Sequence, residues 1–344
     1  MTLKIAINGF GRIGRCVLRA LLENGAEGME VVAINDLAAP DTLLHLLKYD
    51  SVHGRLREDA RLEGDMLHVG PFAIRLTALR DPADLPWSDV DIAYECTGLF
   101  TTRDTAAAHL RNGSKRVLIS APGKGADRTV VYGVNHTDLT SEDVIVSNAS
   151  CTTNCLAPLA KVLDDAFGIE TGYMTTIHAF TGDQPTHDSA HRDPYRGRAA
   201  SVSMVPTSTG AAAAISLVLP RLEGRLEGSA VRVPTINVSM VDLSFMPRHP
   251  VSVEALNAAV KAAADGPLAG VLAYEDDPMV SIDFNHDPHS SCFAAAQTKV
   301  TSGGMVRVVS WYDNEWGFAN RMNDTARAMG GLLAQAGEPL RKIA

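Results

Sequence analysis

The 344-residue chain is poor in several features that mark whole classes of proteins. Its five cysteines form an odd and sparse set, which does not suit a disulfide framework and favours free thiols in a reducing cytoplasm. The formal net charge is −9, so the chain has no positive excess that would favour nucleic acid or an acidic membrane as its main partner. Its first residues lack the long apolar core of a secretion signal, and the apolar stretch at 211–219 is far below membrane-spanning length. We therefore expect a cytoplasmic protein with no membrane partner.

The chain does have strand and helix patterns in regular alternation through its first half. Apolar strand patterns stand at 4–7, 30–36, 91–98, 115–120 and 144–150, with helical patterns between them at 15–25, 41–50 and 101–113. Asp41 has the position and residue type of an N-cap for the second of these helices. Alternation of this kind, with apolar strands, predicts a mostly parallel sheet covered by helices on both faces.

The pattern changes after residue 150. A helix is expected over 151–167, although Pro158 inside it should kink it or shift its boundary. Strands of alternating character follow at 172–180, 230–246 and 305–317, and the last stretch, 320–333, is helical and amphipathic. The polar segment at 181–203 is long for a loop in a compact domain, which is typical of a functional or interface segment.

A glycine-rich turn follows the first strand. The stretch NGFGRIGR carries glycines in GxGxxG spacing, at Gly9, Gly11 and Gly14. It opens a helix, and Asp36 stands 22 residues after Gly14 (36 − 14) at the end of the second strand. This context predicts a dinucleotide site, in which the amides near Arg12 and Ile13 face the pyrophosphate and Asp36 meets the ribose hydroxyls. Because a carboxylate there would repel the extra phosphate of NADP, the cofactor expected is NAD.

These patterns together predict an α/β protein of two domains. Residues 1–150 are expected to form a doubly wound, Rossmann-like dinucleotide-binding domain that is closed by a C-terminal helix at about 317–344. Residues 151–316 are expected to form a second, α+β domain with a mainly antiparallel sheet.

A cysteine stands where the polar turn SNAS gives way to the helix at 151–167. At a helix start, unpaired amides and the helix dipole should lower the pKa of the Cys151 thiol and hold a thiolate. His178 lies in a strand-like run from which its imidazole could meet that thiol and activate it as a nucleophile. Taken singly, such a cysteine or histidine is more often a core residue than a catalytic one.

Hydroxyl side chains and an arginine suggest a phosphate site in the same half of the chain. The hydroxyls cluster in sequence around Gly210 and after Cys151, at Thr152, Thr153, Thr181, Thr207, Ser208 and Thr209. With a turn amide and Arg232 they offer the donors that phosphate requires, although each is equally common at turns and surfaces. The CxxxC spacing of Cys151 and Cys155 is not a usual zinc pair and no second pair accompanies it, so no metal is expected.

Taken together, these stretches resemble the phosphorylating glyceraldehyde-3-phosphate dehydrogenase family (type I). The resemblance covers essentially the whole chain, from INGFGRIGR through HLLKYDSVHG, SNASCTTNCLAP, TTIHAFTGDQ, PTSTGAA and VRVPTINVS to SWYDNEWG, with SNASCTTNCLAP the most specific motif. It implies a homotetramer that oxidises glyceraldehyde 3-phosphate with NAD and inorganic phosphate to 1,3-bisphosphoglycerate. It also implies that residues 151–316 are the catalytic, substrate-binding and tetramer-interface domain. The implied reaction passes through a cysteine hemithioacetal and a thioester.

The resemblance also implies roles for single residues, with Cys151 as the nucleophile and His178 as the base that activates it. The implied cofactor-binding residues are Gly9, Gly11, Arg12, Ile13, Asp36, Arg80, Ser120 and Asn314. The implied substrate- and phosphate-binding residues are Ser150, Thr152, Thr181, Arg198, Thr209, Gly210 and Arg232.

The chain departs from the family pattern at several positions. Ala213 stands where the family often has lysine, and Pro194 and Tyr195 occupy positions that shape the subunit contact. At 189–190 the chain has serine and alanine, where NAD-restricted members tend to have leucine and proline. Small residues at these positions resemble those of members that also accept NADP. NADP binding is therefore expected to be disfavoured by Asp36 but not excluded.

Three other functions compete with this one. Erythrose-4-phosphate dehydrogenases share NASCTTNC, and the stretch at 283–290 resembles them closely, but Thr181 and the hydroxyls of PTSTG suit a second phosphate. A hydrolytic or nonphosphorylating aldehyde dehydrogenase would not need those hydroxyls either. A non-catalytic NAD-sensing or RNA-binding protein is disfavoured because Cys151 and His178 are both present and the net charge is acidic.

Overall fold

The computed structural model describes residues 2–26 and 28–335, so the last part of the predicted closing segment, 336–344, lies outside the described residues. The chain divides into two compact units. The first contains residues up to 130, 135–149 and those from 319 onward, and the second contains 131–134 and 150–318.

The regular elements follow the chain as expected from its alternating patterns. The α-helices of the described residues are α1 (Arg12–Glu23), α2 (Pro40–Lys48), α3 (Arg103–Ala106), α4 (Ala108–Arg111), α5 (Cys151–Phe167), α6 (Ala211–Val218), α7 (Val253–Ala264) and α8 (Trp316–Gln335). The strands up to residue 150 are β1 (Leu3–Asn8), β2 (Met29–Asn35), β3 (Tyr49–Asp50), β4 (Gly54–Arg55), β5 (Ala60–Glu63), β6 (Met66–Val69), β7 (Phe72–Thr77), β8 (Ile92–Glu95), β9 (Arg116–Ile119), β10 (Arg128–Thr129) and β11 (Ile145–Ser147). The later strands are β12 (Ile169–Ala179), β13 (Val205–Thr207), β14 (Leu226–Val233), β15 (Ser239–Pro247), β16 (Leu272–Glu275), β17 (Ser291–Ala294), β18 (Lys299–Val300) and β19 (Val306–Tyr312).

The first unit is built on a nine-stranded sheet in the order β10–β11–β9–β8–β1–β2–β7–β6–β5. Neighbours from β10 to β7 are parallel, and β7, β6 and β5 form an antiparallel edge. Every residue of β8 and β9 is buried, which is the burial expected of central strands covered on both faces. The predicted doubly wound, mostly parallel sheet is confirmed.

The second unit holds a separate sheet in the order β13–β14–β12–β15–β19–β17–β16, with β18 paired to β19. Its pairs are antiparallel except for β12 with β14 and β16 with β17. Helix α5 packs against α6 and α7 and against several strands of this sheet. The predicted α+β unit with a mainly antiparallel sheet is confirmed.

One local prediction is wrong, and one of the two outcomes expected at Pro158 does not occur. Asp41 is not an N-cap: Ala39 holds that position and Pro40 begins the helix, because proline already has a helical φ and needs no N–H partner there. Pro158 does not shift the boundary of α5, which runs unbroken to Phe167. Most of α5 around Pro158 is buried, so packing offsets the hydrogen bond that proline removes.

The helical pattern at 101–113 becomes two short helices, α3 and α4, and α3 begins with a capping box at Thr102. Within the described ranges, no helix combines the length and the apolar composition needed to span a bilayer.

Candidate active site

The glycine turn of the first unit leaves no room for side chains at two positions. A Cβ atom at Gly9, which has a φ of 90°, would lie 2.6 Å from the backbone nitrogen of Thr97. A Cβ atom at Gly14 would lie 2.2 Å from the carbonyl oxygen of Gly9. At Gly11, by contrast, a Cβ atom would meet no other atom within 4 Å. The turn therefore packs tightly against the protein on one side and leaves open space on the other, as a backbone that approaches a ligand requires.

Asp36 is tied to this turn. Its Oδ2 atom accepts a hydrogen bond from the backbone N–H of Phe10 at 2.8 Å, and its Oδ1 atom accepts one from the N–H of Ala38 at 2.9 Å. The side chain remains partly exposed, so its carboxylate keeps free lone pairs for a ligand hydroxyl.

An open cleft of about 310 Å³ lies at the ends of the parallel strands. Its lining includes four of the predicted cofactor residues, Gly9, Gly11, Asp36 and Arg80, together with Asn8, Asn35, Leu37, Leu79, Cys96, Thr97, Leu99 and Phe100. A glycine turn, the start of a 12-residue helix and a carboxylate are the parts that a dinucleotide needs, so these residues fit NAD.

Arg12, in the first turn of α1, forms an ion pair with Asp50, with Nη1 and Oδ2 2.6 Å apart. Burial acts to raise the pKa of Asp50, but the backbone N–H groups of His53 and Val52 and the charge of Arg12 outweigh it. The pKa of Asp50 is thereby held at about 2. The guanidinium of this predicted cofactor residue is thus anchored by a buried carboxylate.

Three other predicted cofactor residues do not line the cleft. Ile13 is half-buried in the first turn of α1, and the backbone N–H of Ser120 donates to the carbonyl of Glu95 at 3.0 Å. Asn314 belongs to the second unit, where its Oδ1 atom accepts from the hydroxyl of Ser239 at 2.8 Å. Their roles toward NAD remain predictions.

Cys151 is the first residue of α5 and is half-buried. Ser150 caps the helix, its hydroxyl oxygen accepting from the N–H of Thr153 at 3.0 Å. The Sγ atom of Cys151 lies 3.5 Å from Nε2 of His178. The structure therefore brings together the thiol and the imidazole that the sequence separates by 27 positions.

Strand register explains the surroundings of His178. His178 on β12 is the direct partner of Arg232 on β14. The Nδ1 atom of His178 lies 2.7 Å from the carbonyl oxygen of Ala179 and 3.1 Å from Nη1 of Arg232. Nη1 has other acceptors, the Ala179 carbonyl at 3.0 Å and the Thr181 hydroxyl at 3.1 Å. The shortest contact thus assigns the proton to Nδ1 and leaves Nε2 free to accept from the Cys151 thiol.

The thiol and the imidazole are both neutral in this geometry. Burial, reinforced by the charge of Arg232, lowers the pKa of His178 to about 3. Burial also raises the pKa of the Cys151 thiol, while Arg232 and hydrogen bonds with Thr152 act to lower it. The helix-start argument predicts a lowered thiol pKa and is wrong in direction, because desolvation outweighs the amides and the charge. A thiolate must therefore form by proton transfer to Nε2 when the thiol reacts.

A group of charged and hydroxyl side chains continues from Arg232. The Thr181 hydroxyl donates to Asp183, whose carboxylate pairs with Nη1 of Arg196 at 3.0 Å. Nε of Arg196 donates to the hydroxyl of Thr207 at 3.1 Å. Among the described residues, the buried Nε atom of Arg232 has no hydrogen-bond partner. An arginine donor of this kind next to hydroxyls suits an anionic ligand.

The other residues predicted to bind phosphate differ from one another in burial and in contacts. Thr152 is buried, and its hydroxyl lies 2.9 Å from that of Tyr312. Gly210 caps α6, and the Thr209 hydroxyl oxygen accepts from the N–H of Ala211 at 3.2 Å. Arg198 is exposed and pairs with Asp188 at 2.8 Å, so nothing in its contacts links it to Cys151.

Sequence reasoning missed Tyr312 and Ser239. The Tyr312 hydroxyl also lies 2.9 Å from that of Thr176, and its ring stands edge-on to His178, with ring centroids 5.9 Å apart. The Ser239 hydroxyl accepts from the N–H of Ala179 at 3.0 Å and donates to Asn314. Both residues lie in family-like stretches of the sequence, VRVPTINVS and SWYDNEWG, but only the pairing of β15 with β19 shows that they are register partners.

A unit that fits NAD and a unit that pairs a thiol with an imidazole define an NAD-dependent oxidoreductase with a cysteine-based site. Comparison with known proteins gives the family. Residues 3–103 match the family model described as glyceraldehyde 3-phosphate dehydrogenase, NAD binding domain, and residues 150–314 match the one described as the C-terminal domain of the same enzyme. The chain belongs to the glyceraldehyde-3-phosphate dehydrogenase family.

Relatives named glyceraldehyde-3-phosphate dehydrogenase are similar over nearly the whole length. The protein from Cereibacter sphaeroides is 63% identical over 97% of this chain and 100% of its own length. The protein from Xanthobacter flavus is 62% identical over 96% of this chain and 100% of its own length. The one from Pseudomonas aeruginosa is 56% identical over 96% of this chain and 98% of its own length.

Proposed function

We propose that this protein oxidises glyceraldehyde 3-phosphate to 1,3-bisphosphoglycerate, using NAD and inorganic phosphate. Cys151 is the nucleophile and His178 the general base. The observation that carries this proposal is the 3.5 Å contact between Sγ and Nε2, with the opposite ring nitrogen held by the carbonyl of Ala179. A base held in this tautomer can remove the proton of a thiol at the moment the thiol attacks.

Each step assigns a bond and a proton to these two residues. The sulfur of Cys151 bonds to the aldehyde carbon while its proton moves to Nε2 of His178, and His178 then donates that proton to the carbonyl oxygen, which completes a hemithioacetal and leaves the imidazole neutral. His178 then takes the hydroxyl proton as the hydride leaves that carbon, which yields a thioester on Cys151. An oxygen of inorganic phosphate attacks the thioester carbon and the carbon–sulfur bond breaks. The acyl phosphate is released, and the sulfur of Cys151 becomes a thiolate again.

NAD, when bound, supplies the hydride acceptor for this oxidation. Gly9, Gly11, Asp36 and Arg80 would hold it through the cleft they line, and Arg12 would act from its anchored position beside Asp50. Ile13, Ser120 and Asn314 complete the set that the family resemblance implies. Asp36 favours NAD over NADP because a second negative charge beside it would be repelled.

We assign the substrate and phosphate anions to the donors of the second unit. The partnerless Nε of Arg232 and the neighbouring Thr181 support one anion position. The other residues proposed for the anions are Ser150, Thr152, Arg198, Thr209 and Gly210.

We also propose that the protein acts as a cytoplasmic homotetramer. Its cysteines are all free, which suits a reducing compartment. Large apolar side chains are exposed on the second unit, among them Tyr173, Tyr195, Val202, Met204, Ile236, Met246, Val280 and Ile282. Exposed apolar groups in this number support a contact between subunits, and the mass in solution, by light scattering, tests it.

The activity is tested by initial rates with glyceraldehyde 3-phosphate and with erythrose 4-phosphate, each with NAD or NADP and with or without phosphate. We expect the highest kcat/KM with glyceraldehyde 3-phosphate, NAD and phosphate, and little turnover when phosphate is left out. A higher kcat/KM with erythrose 4-phosphate would favour the competing function. Turnover that does not depend on phosphate would point to a hydrolytic or nonphosphorylating enzyme.

A further inference from the structure

A row of polar side chains crosses the ends of four neighbouring parallel strands beneath the NAD cleft. Glu95 ends β8, Asn8 ends β1, Asn35 ends β2 and Thr77 ends β7. These residues are direct register partners, Glu95 with Asn8, Asn8 with Asn35, and Asn35 with Thr77. Glu95, Asn8 and Asn35 are 1%, 2% and 4% exposed, so they depend on one another for hydrogen bonds.

The side-chain hydrogen bonds that link Thr77, Asn35, Asn8 and Glu95 all point toward Glu95, while Nδ2 of Asn35 also donates to the carbonyl oxygen of Leu79 at 2.9 Å. The Nδ2 atom of Asn8 donates to Oε2 of Glu95 at 2.7 Å, and Nδ2 of Asn35 donates to Oδ1 of Asn8 at 2.8 Å. The Oδ1 atom of Asn35 in turn accepts from the hydroxyl of Thr77 and the backbone N–H of Leu79, both at 2.9 Å. The row thus starts at a backbone N–H, which can only donate, and ends at the carboxylate of Glu95.

Glu95 is an acceptor toward each of its other neighbours. Its Oε1 atom accepts from the N–H of Thr97 at 2.9 Å and also from the Thr97 hydroxyl. Its Oε2 atom lies 2.9 Å from Nε2 of His109. The Nδ1 atom of His109 is buried and has no hydrogen-bond partner among the residues that the structure describes, so Nε2 is assigned as the donor that faces Glu95. Glu95 is therefore held as a carboxylate by donors alone.

We infer that Glu95 is a positioning residue of the NAD site: its carboxylate sets the hydrogen-bond direction of the row and thereby orients the groups that line the cleft. Asn8, Asn35, Leu79 and Thr97 all belong to that lining. The inference rests on the NAD site of the proposed function and adds a residue that does not itself line the cleft.

Because the hydrogen bonds of the row have one direction, the inference can be tested by a substitution that hardly alters the size of the side chain. Glu95→Gln replaces one acceptor oxygen by an NH2 group, which then faces donors on either side of the carboxyl group. Asn8 and Asn35 could relieve the conflict next to them by turning their amides over. That reversal stops at the backbone N–H of Leu79, which cannot accept. The buried conflict therefore remains in the wall of the cleft.

The experiment measures the Kd of NAD by calorimetry, without substrate, for the wild type, three single variants and one double variant. We expect Glu95→Gln to weaken NAD binding by about tenfold or more, as expected when a buried donor loses its acceptor. Asn8→Asp alone should also weaken it, because it sets a second carboxylate against Glu95. The exposed Glu63→Gln on β5 is the matched control and should leave the Kd unchanged.

The double variant Asn8→Asp/Glu95→Gln tests whether NAD binding depends on the direction of the hydrogen bonds in the row or on the particular side chains at positions 8 and 95. In it the new amide at position 95 donates to the new carboxylate at position 8, which still accepts from Asn35, and the net charge is that of the wild type. His109 then has to carry its proton on Nδ1, where it has no acceptor among the described residues; this exchange lowers stability, but His109 itself does not line the cleft. We expect NAD binding to return to within about threefold of the wild type, the non-additive recovery that a directly coupled pair gives.

Thermal unfolding of each variant shows that the compared proteins are folded. Recovery by the double variant supports the inference even if Glu95→Gln alone fails to fold. A folded Glu95→Gln variant with wild-type Kd, or a folded double variant that stays tenfold weak, overturns it. A wild type that does not bind NAD at all would overturn the NAD site itself, which distinguishes that failure from a failure of the row.

Discussion

The two units treat their buried polar groups in opposite ways. In the first unit the side-chain hydrogen bonds from Thr77 through Asn35 and Asn8 to Glu95 share one direction, and Asp36 accepts from two backbone N–H groups. In the second unit a neutral His178 lies between a thiol and the guanidinium of Arg232. In the first unit the protons have a single favoured arrangement. In the second unit a proton can move between Sγ of Cys151 and Nε2 of His178.

This difference corresponds to the work of each unit. A binding cleft benefits from groups that are fixed before the ligand arrives, because ordering them costs nothing at binding. A site that makes and breaks bonds needs groups whose protonation changes during the reaction, and their pKa values are displaced by burial and charge. Five substitutions or measurements test this contrast, from the largest expected effect to the smallest.

Replacing the thiol should abolish the chemistry of the second unit while NAD binding in the first unit is retained. We expect Cys151→Ser to lower the dehydrogenase rate by more than about a thousandfold, since a hydroxyl is a far weaker nucleophile than a thiol and forms no thioester. NAD binding, measured by calorimetry, should remain close to wild type. Cys155→Ser, one turn further along α5, is the matched control and should retain activity. A rate above a few per cent in Cys151→Ser would sink the assignment of the nucleophile.

Removing the base should be nearly as severe. His178→Asn should lower kcat by about 10²–10⁴-fold, the usual loss when acid–base help is removed. Burst kinetics of NADH formation should show that the oxidation step itself slows. An unchanged pH–rate profile would mean that His178 only packs in the core.

Alkylation compares two thiols of the same helix. The Cys155 thiol is buried beside Ser291, with Sγ and Oγ 3.6 Å apart, and burial raises its pKa to about 12. Cys151 is half-buried and has Nε2 of His178 3.5 Å away to take its proton, and the charge of Arg232 acts against the effect of burial on its pKa. Below pH 8, iodoacetamide should label Cys151 about a hundredfold faster than Cys155, as read by peptide mass spectrometry. Equal labelling would show that the surroundings of Cys151 give it no special reactivity.

The anchor of Arg12 should affect stability rather than chemistry. Because the folded pKa of Asp50 is about 2 against an ordinary 3.8, its carboxylate stabilises the fold above pH 3.8, and that contribution is lost as the pH falls through 2. Asp50→Asn should therefore lower the free energy of unfolding by about 2 kcal/mol at pH 7 and by much less near pH 2.

The exposed Asp65, whose contact with Arg75 is 3.9 Å, provides the control for Asp50. Asp65→Asn should change the free energy of unfolding by less than about 0.5 kcal/mol at either pH. Equal effects of the two substitutions would contradict a special contribution of the Asp50 pair.

Cofactor choice should show the smallest effect. A 2′-phosphate near Asp36 costs on the order of 4 kcal/mol before screening, and small residues at 189–190 offset roughly 1 kcal/mol. We expect kcat/KM with NAD to exceed that with NADP by at least about tenfold. Asp36→Gly should lower this ratio of the two kcat/KM values.

Asp36→Asn is a milder variant that removes the charge while retaining an acceptor for Phe10 or Ala38. It should lower this ratio as well, whereas leucine and proline at 189–190 should raise it. Equal use of NADP and NAD by the wild type would show that the loop, rather than Asp36, selects the cofactor.

Much of this site could be predicted because its chemistry is carried by short stretches of sequence. The glycine turn, Asp36 after β2 and Cys151 at the start of α5 depend on residues near one another in the chain. His178 was a candidate from its strand-like run, and the family resemblance implied its role as the base. The N-cap of α2 was predicted wrongly because Pro40, next to Asp41, is itself a helix-starting residue. Tyr312 and Ser239 carried no local signal of their own, since their importance comes from strand pairing.

The sequence by itself determined the strand and helix periodicity, the turn where only glycine fits, the family and the identity of the reactive groups. Each of these depends on residue type and short spacing. Only the tertiary structure decided the protonation of Cys151 and His178, the anchoring of Arg12, and the direction of the hydrogen bonds that end at Glu95. Desolvation and hydrogen-bond direction depend on which distant strands meet and how deeply they bury a group. Spacing along the chain does not contain that information.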